Sequence, residues 1–156
     1  MDQATFVQKY ADIFEHSPWV PERAFSRGPF GDRTALHAAF VAVVDEAGEE
    51  AQLGLIRAHP QLGAKIALTD ASTAEQQGAG LKSLSPQEFA QFSQMNADYN
   101  EKFGFPFVIC VRRHTKSSIL AAFAQRLTHD EATERATALA EIAEIAKLRL
   151  EDPKFD

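Results

Sequence analysis

The apolar residues of this chain recur with the spacing of an α-helix, and this periodicity limits the possible folds more than any other feature. The spacing i, i+4, i+7, i+8 occurs over Phe6–Phe14 and again over Leu36–Val44. Each set of apolar residues therefore lies on one face of a helix. Amphipathic helices of this kind become stable by packing their apolar faces together, so the sequence predicts an all-α fold.

Residues that favour helix ends divide the chain into segments. Asp32 is a predicted N-cap of a helix that runs through Gly48, and a shorter periodic segment follows over 49–58. Ser85 and Glu88 form a capping box with a proline at the first helical position, which predicts a helix towards residue 103. Four further helices are expected: a short one from about Pro21, a short one capped by Ser72 or Thr73, one over 119–127, and a long final one from a Thr128–Glu131 capping box to about Glu151.

The stretch GFPFVICV, residues 104–111, is the one segment with the composition of a strand. It is apolar and rich in β-branched residues, but the sequence offers it no partner strand. A lone strand leaves its backbone groups without hydrogen bonds. We therefore expect a buried extended segment here, inside a compact single domain that spans residues 1–156.

Composition and charge exclude several classes of partner. The chain has 156 residues and a net charge of −6, and no basic block that would attract nucleic acid or an anionic membrane. No apolar run approaches the roughly 20 residues that a membrane span needs, and the expected location is the cytoplasm. The single cysteine, Cys110, lies in an apolar run and is predicted to be a core residue of a reducing compartment.

The sequence contains no recognisable metal or nucleotide site. No two of the five histidines stand three or four residues apart, the spacing that places zinc ligands on one helical face. Phosphate-binding glycine motifs are also missing. We expect neither a metal nor a cofactor.

The segment RAHPQLGAK, residues 57–65, raises the question of chemistry. Pro60 pushes His59 towards extended geometry, and Gly63 permits a turn shortly afterwards. The histidine is either a positioned acid–base group or an exposed residue of a turn. Each of the other candidates is either a residue of a functional site or an ordinary structural residue, and the structural interpretations are as follows. Glu75 and Gln76 suit a solvent-facing helix surface, Arg149 suits a surface cation at a helix end, and Phe107 and Ile109 suit the core.

Four motifs in order, RAHPQLG, STAEQQGAGL, MNADYNEKFGFPFVICVR and EIAKLRL, resemble the OHCU decarboxylase family over nearly the whole chain. OHCU is 2-oxo-4-hydroxy-4-carboxy-5-ureidoimidazoline, an intermediate of urate breakdown. The resemblance implies about eight helices, a cofactor-independent decarboxylation that gives (S)-allantoin, and commonly a homodimer. It also implies functional coupling to 5-hydroxyisourate hydrolase.

The resemblance assigns roles to particular residues. It implies that His59 is catalytic, and either His59 or Glu75 is the group that transfers the proton directly. Substrate-binding roles fall on Pro60, Ser72, Gln76, Phe107, Ile109 and Arg149. Arg57 and Arg112 compete with Arg149 for binding the anion. The alternative function is a helical module that binds a purine-like ligand or a protein partner without catalysis.

Overall fold

The structure, a computed structural model, describes residues 1–63, 70–81 and 83–156. Over these residues the chain forms eight α-helices, joined by turns and short 3₁₀ segments, and no strand. The helices are α1 Gln3–Tyr10, α2 Trp19–Ala24, α3 Arg33–Glu46, α4 Glu49–Arg57, α5 Asp70–Gly78, α6 Pro86–Phe103, α7 Lys116–Arg126 and α8 Glu131–Leu150. The predicted all-α fold is confirmed. No helix in the described ranges is both long and apolar enough to cross a membrane.

Two of the predicted helix starts are confirmed by their hydrogen bonds. The Asp32 carboxylate accepts from the Ala35 N–H at 2.8 Å and begins α3. Ser85 and Glu88 form both bonds of the predicted capping box at the start of α6. The predicted end of α3 is two residues too late, because Gly48 has a φ of 89° and already forms the N-cap of α4.

Two other predicted caps are wrong. Thr128 donates its hydroxyl to the Gln125 carbonyl at 2.6 Å and so belongs to the end of α7, whereas Asp130 caps α8. Helix α5 begins at Asp70, so Ser72 and Thr73 lie inside it. The Ser72 hydroxyl donates to a distant glutamate instead of capping. Local preference for a cap residue does not decide which of several nearby candidates is used.

The core is built from aromatic and aliphatic side chains of every helix except the polar α5. Helix α8 packs against α3 and α4, and α1 packs against α2. The predicted buried extended segment is confirmed: after Gly104, residues 105–110 are non-helical and buried. We call residues 104–111 the connector. Within it, Phe107 stacks on Phe123 of α7 with ring centroids 3.7 Å apart.

Side chains, rather than a second strand, bind some of the backbone groups of the connector. Arg126 donates to the Val108 carbonyl at 2.7 Å, and the Cys110 N–H donates to Glu141 at 3.3 Å. Arg126 also pairs at 2.7 Å with Glu134, whose side chain is fully buried. Cys110 is a buried core residue, as predicted, and burial raises the pKa of its thiol to about 11.

Candidate active site

A small cavity lies where the end of α4, helix α5, the connector and the last turns of α8 meet. Its volume is about 30 Å³, enough for about two water-sized spheres. The side chains around it include all the site residues expected from the sequence: His59, Pro60, Ser72, Glu75, Gln76, Phe107, Ile109 and Arg149. The structure therefore brings together residues that are separated by up to 90 positions in the chain.

His59 lies just beyond the end of α4 and is 7% exposed, so the interpretation as an exposed turn residue is wrong. Its Nδ1 is 2.9 Å from the carbonyl oxygen of Leu55. Since a carbonyl only accepts, Nδ1 carries the ring hydrogen. Burial is the main cause that lowers the pKa of His59 to about 4, and the ring is neutral near pH 7. Nε2 is then the nitrogen with a free lone pair, ready to accept a proton.

The turn that follows His59 is held from two sides. Gly63 has a φ of 72°, in the region that favours glycine, and its N–H donates to Gln76 at 3.2 Å. Asn96 of α6 donates to the Leu62 carbonyl at 3.0 Å. Helices α5 and α6 therefore fix the turn against the cavity.

Helix α5 presents its polar candidates on one face. Ser72, Glu75 and Gln76 stand at i, i+3 and i+4, the spacing of neighbours on a helix surface. Ser72 and Gln76 are buried, and the Glu75 side chain is only 12% exposed. The solvent-facing interpretation of Glu75 and Gln76 is wrong, because this face of α5 packs over the cavity.

Arg149 is a buried cation whose three nitrogens all donate within the protein. Its Nε and Nη2 bind the two carboxylate oxygens of Glu75, both at 3.0 Å. Nη2 also donates to Glu15 at 2.7 Å. Nη1 donates to the carbonyl oxygens of Asp12 and Ile13 at 3.1 and 3.3 Å. The interpretation as a surface cation is wrong.

Glu15 is a residue of this site that sequence reasoning missed. It is 1% exposed, and one of its oxygens accepts from both Arg149 and the Ser72 hydroxyl. Burial favours a raised pKa, but the charge of Arg149 and the two hydrogen bonds outweigh it and hold the pKa of Glu15 below its usual value. In the sequence Glu15 stands between two helices, where no local pattern separates it from the other acidic residues.

The other two arginines considered for anion binding lie outside the cavity. Arg57 is exposed, and its Nε donates to the Gly104 carbonyl at 3.2 Å. Arg112 is exposed and lines an open groove of about 710 Å³. Glu75 and Arg149 line both the groove and the cavity, so the two spaces adjoin at this ion pair.

The connector forms the apolar wall of the cavity. Phe107 and Ile109 are core residues and line the cavity at the same time. The side-chain hydrogen bonds to the connector use the carbonyl groups of Gly104 and Val108 and the Cys110 N–H. None of these contacts uses the N–H groups of Phe107 and Ile109.

In the described ranges, no three histidine, cysteine, aspartate or glutamate side chains form a group that could hold a metal ion. The expectation that the protein needs no metal or cofactor stays a prediction. What the cavity does offer is a neutral imidazole, a guanidinium paired with one carboxylate at the cavity and a second behind it, an amide and a hydroxyl. Such a set suits proton transfer on a small polar molecule that is bound by hydrogen bonds.

Comparison with protein families gives one match over nearly the whole chain. The model of the OHCU decarboxylase family matches residues 1–151. A protein of Haloferax volcanii named 2-oxo-4-hydroxy-4-carboxy-5-ureidoimidazoline decarboxylase is 47% identical over 150 residues, which cover 96% of this chain and 89% of that protein.

Two further similarities extend this result. The uric acid degradation bifunctional protein PucL of Bacillus subtilis is 42% identical over 152 residues, which cover 97% of this chain but 31% of PucL. Among solved structures, a crystal structure of (S)-allantoin synthase superposes with a TM-score of 0.77 at 28% identity. That match covers 96% of this chain and 50% of the other.

Proposed function

This chain belongs to the OHCU decarboxylase family, and we propose on that basis that it is a carboxy-lyase that converts OHCU to (S)-allantoin in urate degradation. The observation that carries the proposal is the state of His59. Its Nδ1 is committed to the Leu55 carbonyl, its ring is neutral, and it borders a cavity with Glu75 and Arg149. A neutral imidazole held in one tautomer is a suitable general base.

The reaction follows from the chemistry of the substrate. The bond to the carboxylate breaks, and its electron pair enters the neighbouring ring C=N, whose nitrogen takes up one proton. The hydroxyl on the carbon that loses CO₂ gives its proton to His59 Nε2, and this carbon becomes a carbonyl. His59 then delivers that proton to the adjacent ring carbon. Overall, one carboxylate and one proton become CO₂ and allantoin, and delivery from one face gives the (S) form.

The remaining residues bind and orient the substrate in this proposal. Ser72 and Gln76 hold its polar edge, and Pro60 fixes the backbone beside His59, which lowers the entropic cost of orientation. The N–H groups of Phe107 and Ile109 donate to ring carbonyls. This gives a buried non-helical segment a binding role.

Glu75 and Arg149 form the ionic part of the site. The guanidinium binds the carboxylate edge of the substrate, which its planar fork does better than a lysine. Glu75 is the second candidate for direct proton transfer. Its two contacts with Arg149 in this structure favour His59 as the base, because both carboxylate oxygens of Glu75 already accept hydrogen bonds from the guanidinium.

The decisive experiment follows optical activity. Fresh OHCU, made in situ from urate, is added to wild type and to His59→Asn, and circular dichroism records (S)-allantoin. The wild type gives a growing signal of one sign, and His59→Asn lowers its rate by about 100-fold or more. His37→Asn on α3 is the matched control, since His37 does not line the cavity, and its rate stays at the wild-type level.

Two outcomes would contradict the proposal in different ways. A wild-type rate in folded His59→Asn would support the enzymatic activity but would show that His59 is not the base. No signal from folded wild type that still binds (S)-allantoin would instead favour a binding module without catalysis.

Two broader properties belong to the same proposal. We place the enzyme in the cytoplasm as a homodimer, and sedimentation equilibrium would show a dimer as twice the mass of the chain. Functional coupling to 5-hydroxyisourate hydrolase is part of the same proposal. PucL, named as a bifunctional protein of uric acid degradation, supports only the more general point that such a domain works beside another activity of urate degradation, since the matching part is 31% of its length.

A further inference from the structure

The backbone around Glu15 is held in an unfavourable conformation. His16 has a φ of 45°, in the left-handed region that residues other than glycine rarely adopt. Glu15 itself is buried, whereas His16 is exposed. Ser17 donates to the Glu15 carbonyl at 2.8 Å and supports this turn. Backbone strain persists where the surrounding structure enforces it, and here it accompanies the inward position of the Glu15 side chain.

Arg149 has two carboxylate partners, and their environments differ. The Glu15 side chain is 1% exposed, whereas that of Glu75 is 12% exposed and borders the open groove. Glu75 also borders the cavity in which the proposed reaction takes place, whereas Glu15 lines neither space. A buried guanidinium that loses every counter-ion is strongly destabilised. Glu75 can therefore leave Arg149 before the carboxylate of the substrate has taken its place only if another carboxylate remains.

The small size of the cavity makes such an exchange necessary. Its volume of about 30 Å³ is too small for the substrate, and all three nitrogens of Arg149 already donate within the protein. A substrate carboxylate that binds Arg149 must take a place now held by a protein group. Glu75 is the partner at the boundary with the groove, so it is the one that gives way.

We propose that Glu15 is a positioning residue of this site. It is the permanent counter-ion of Arg149 and the acceptor of the Ser72 hydroxyl, and Glu75 is the counter-ion that exchanges with the carboxylate of the substrate. Because the same Glu15 oxygen accepts from Arg149 and Ser72, both groups keep their places during the exchange. The inference rests on the proposed function, since it concerns the binding of that substrate.

The first test removes the charge of Glu15 and keeps its size. Glu15→Gln lowers kcat/KM for (S)-allantoin formation by about 10- to 100-fold, since a small displacement of binding groups has effects of this order. The loss appears mainly as a higher KM. The matched control is Glu22→Gln, an exposed glutamate on α2, and its kcat and KM stay unchanged.

A second readout does not depend on turnover. Among the residues that the structure describes, the charged or titratable groups around His59 are Glu15, His16, Glu75 and Arg149, and the negative charge of Glu15 acts to raise the pKa of His59. In Glu15→Gln, an NMR titration of the His59 ring therefore has a lower midpoint than in wild type. An unchanged midpoint in folded Glu15→Gln would show that the charge of Glu15 does not act on the site.

The outcomes separate this inference from the proposed function. Wild-type kcat/KM and an unchanged His59 midpoint in Glu15→Gln would overturn the role of Glu15. Failure of wild type to make (S)-allantoin would overturn the proposed function, and the titration would still test the position of Glu15. If Glu15→Gln does not fold, Glu15→Asp keeps the counter-ion but is one methylene shorter. Reduced kcat/KM in that variant supports the proposal, and a wild-type value contradicts it.

Discussion

At the residue scale, the position of His59 depends on a glycine four residues later. Gly63 has a φ of 72°, and its N–H donates to Gln76. A Cβ at this position would lie 2.8 Å from a methyl carbon of Leu84. The turn therefore needs glycine for its backbone conformation, and a Cβ would in addition require the end of the flexible Leu84 side chain to shift.

Gly63→Ala is expected to destabilise the protein by about 1–3 kcal/mol, from the left-handed conformation and the contact with Leu84. It also lowers the rate of (S)-allantoin formation, because the turn carries His59. The control is Gly54→Ala inside α4, where a Cβ meets nothing within 4 Å, and it stabilises by about 0.5–1 kcal/mol. Urea unfolding measures both changes in the free energy of unfolding. If Gly63→Ala stabilised the protein as Gly54→Ala does, position 63 would not require glycine.

At the element scale, the connector depends on one buried ion pair. Arg126 bridges the Val108 carbonyl and Glu134, and it lies over the Phe107 ring, 4.3 Å from the centroid. Glu134 also accepts from the Tyr99 hydroxyl at 2.6 Å. Helices α6, α7 and α8 thus hold the segment that forms one wall of the cavity.

Arg126→Met is expected to cost about 3–5 kcal/mol, because it leaves Glu134 as a buried charge without its guanidinium. The matched control is Arg135→Met on α8, whose partner Glu49 is exposed, and it costs about 1 kcal/mol or less. Guanidinium chloride unfolding compares the two variants. A similar cost for both would show that the pair at Arg126 does not hold the connector.

At the scale of the whole molecule, the burial of His59 couples the site to the stability of the fold. The pKa of His59 falls from 6.5 to about 4 on folding. Below pH 6.5 the unfolded chain binds a proton that the folded chain does not, so stability is lost as the pH falls towards 4. The neutral ring that suits catalysis therefore makes the protein sensitive to acid.

The expected loss of unfolding free energy from His59 alone is about 2 kcal/mol between pH 7.5 and pH 5. His59→Asn lacks this contribution, so its stability falls less than that of wild type over the same range. His37→Asn keeps His59 and its contribution, and serves as the control. Parallel stability curves for wild type and His59→Asn would contradict the buried neutral state of the ring.

The sequence by itself determined the all-α fold, most helix positions and the buried connector, because periodicity and capping act over a few neighbouring residues. Family motifs also identified the residues that surround the cavity. The sequence did not select Asp130 over Thr128 as the cap of α8, since both are good cap residues and only the path of the chain decides between them.

Only the tertiary structure decided the electrostatics of the site. It buried His59 against the Leu55 carbonyl and surrounded Arg149 with Glu15 and Glu75, whose positions in the chain are far apart. The charge state of a side chain depends on its burial and on the charges around it, which are fixed when distant segments pack together. For that reason the imidazole could be found from its motif, whereas its neutral state and the role of Glu15 required the folded chain.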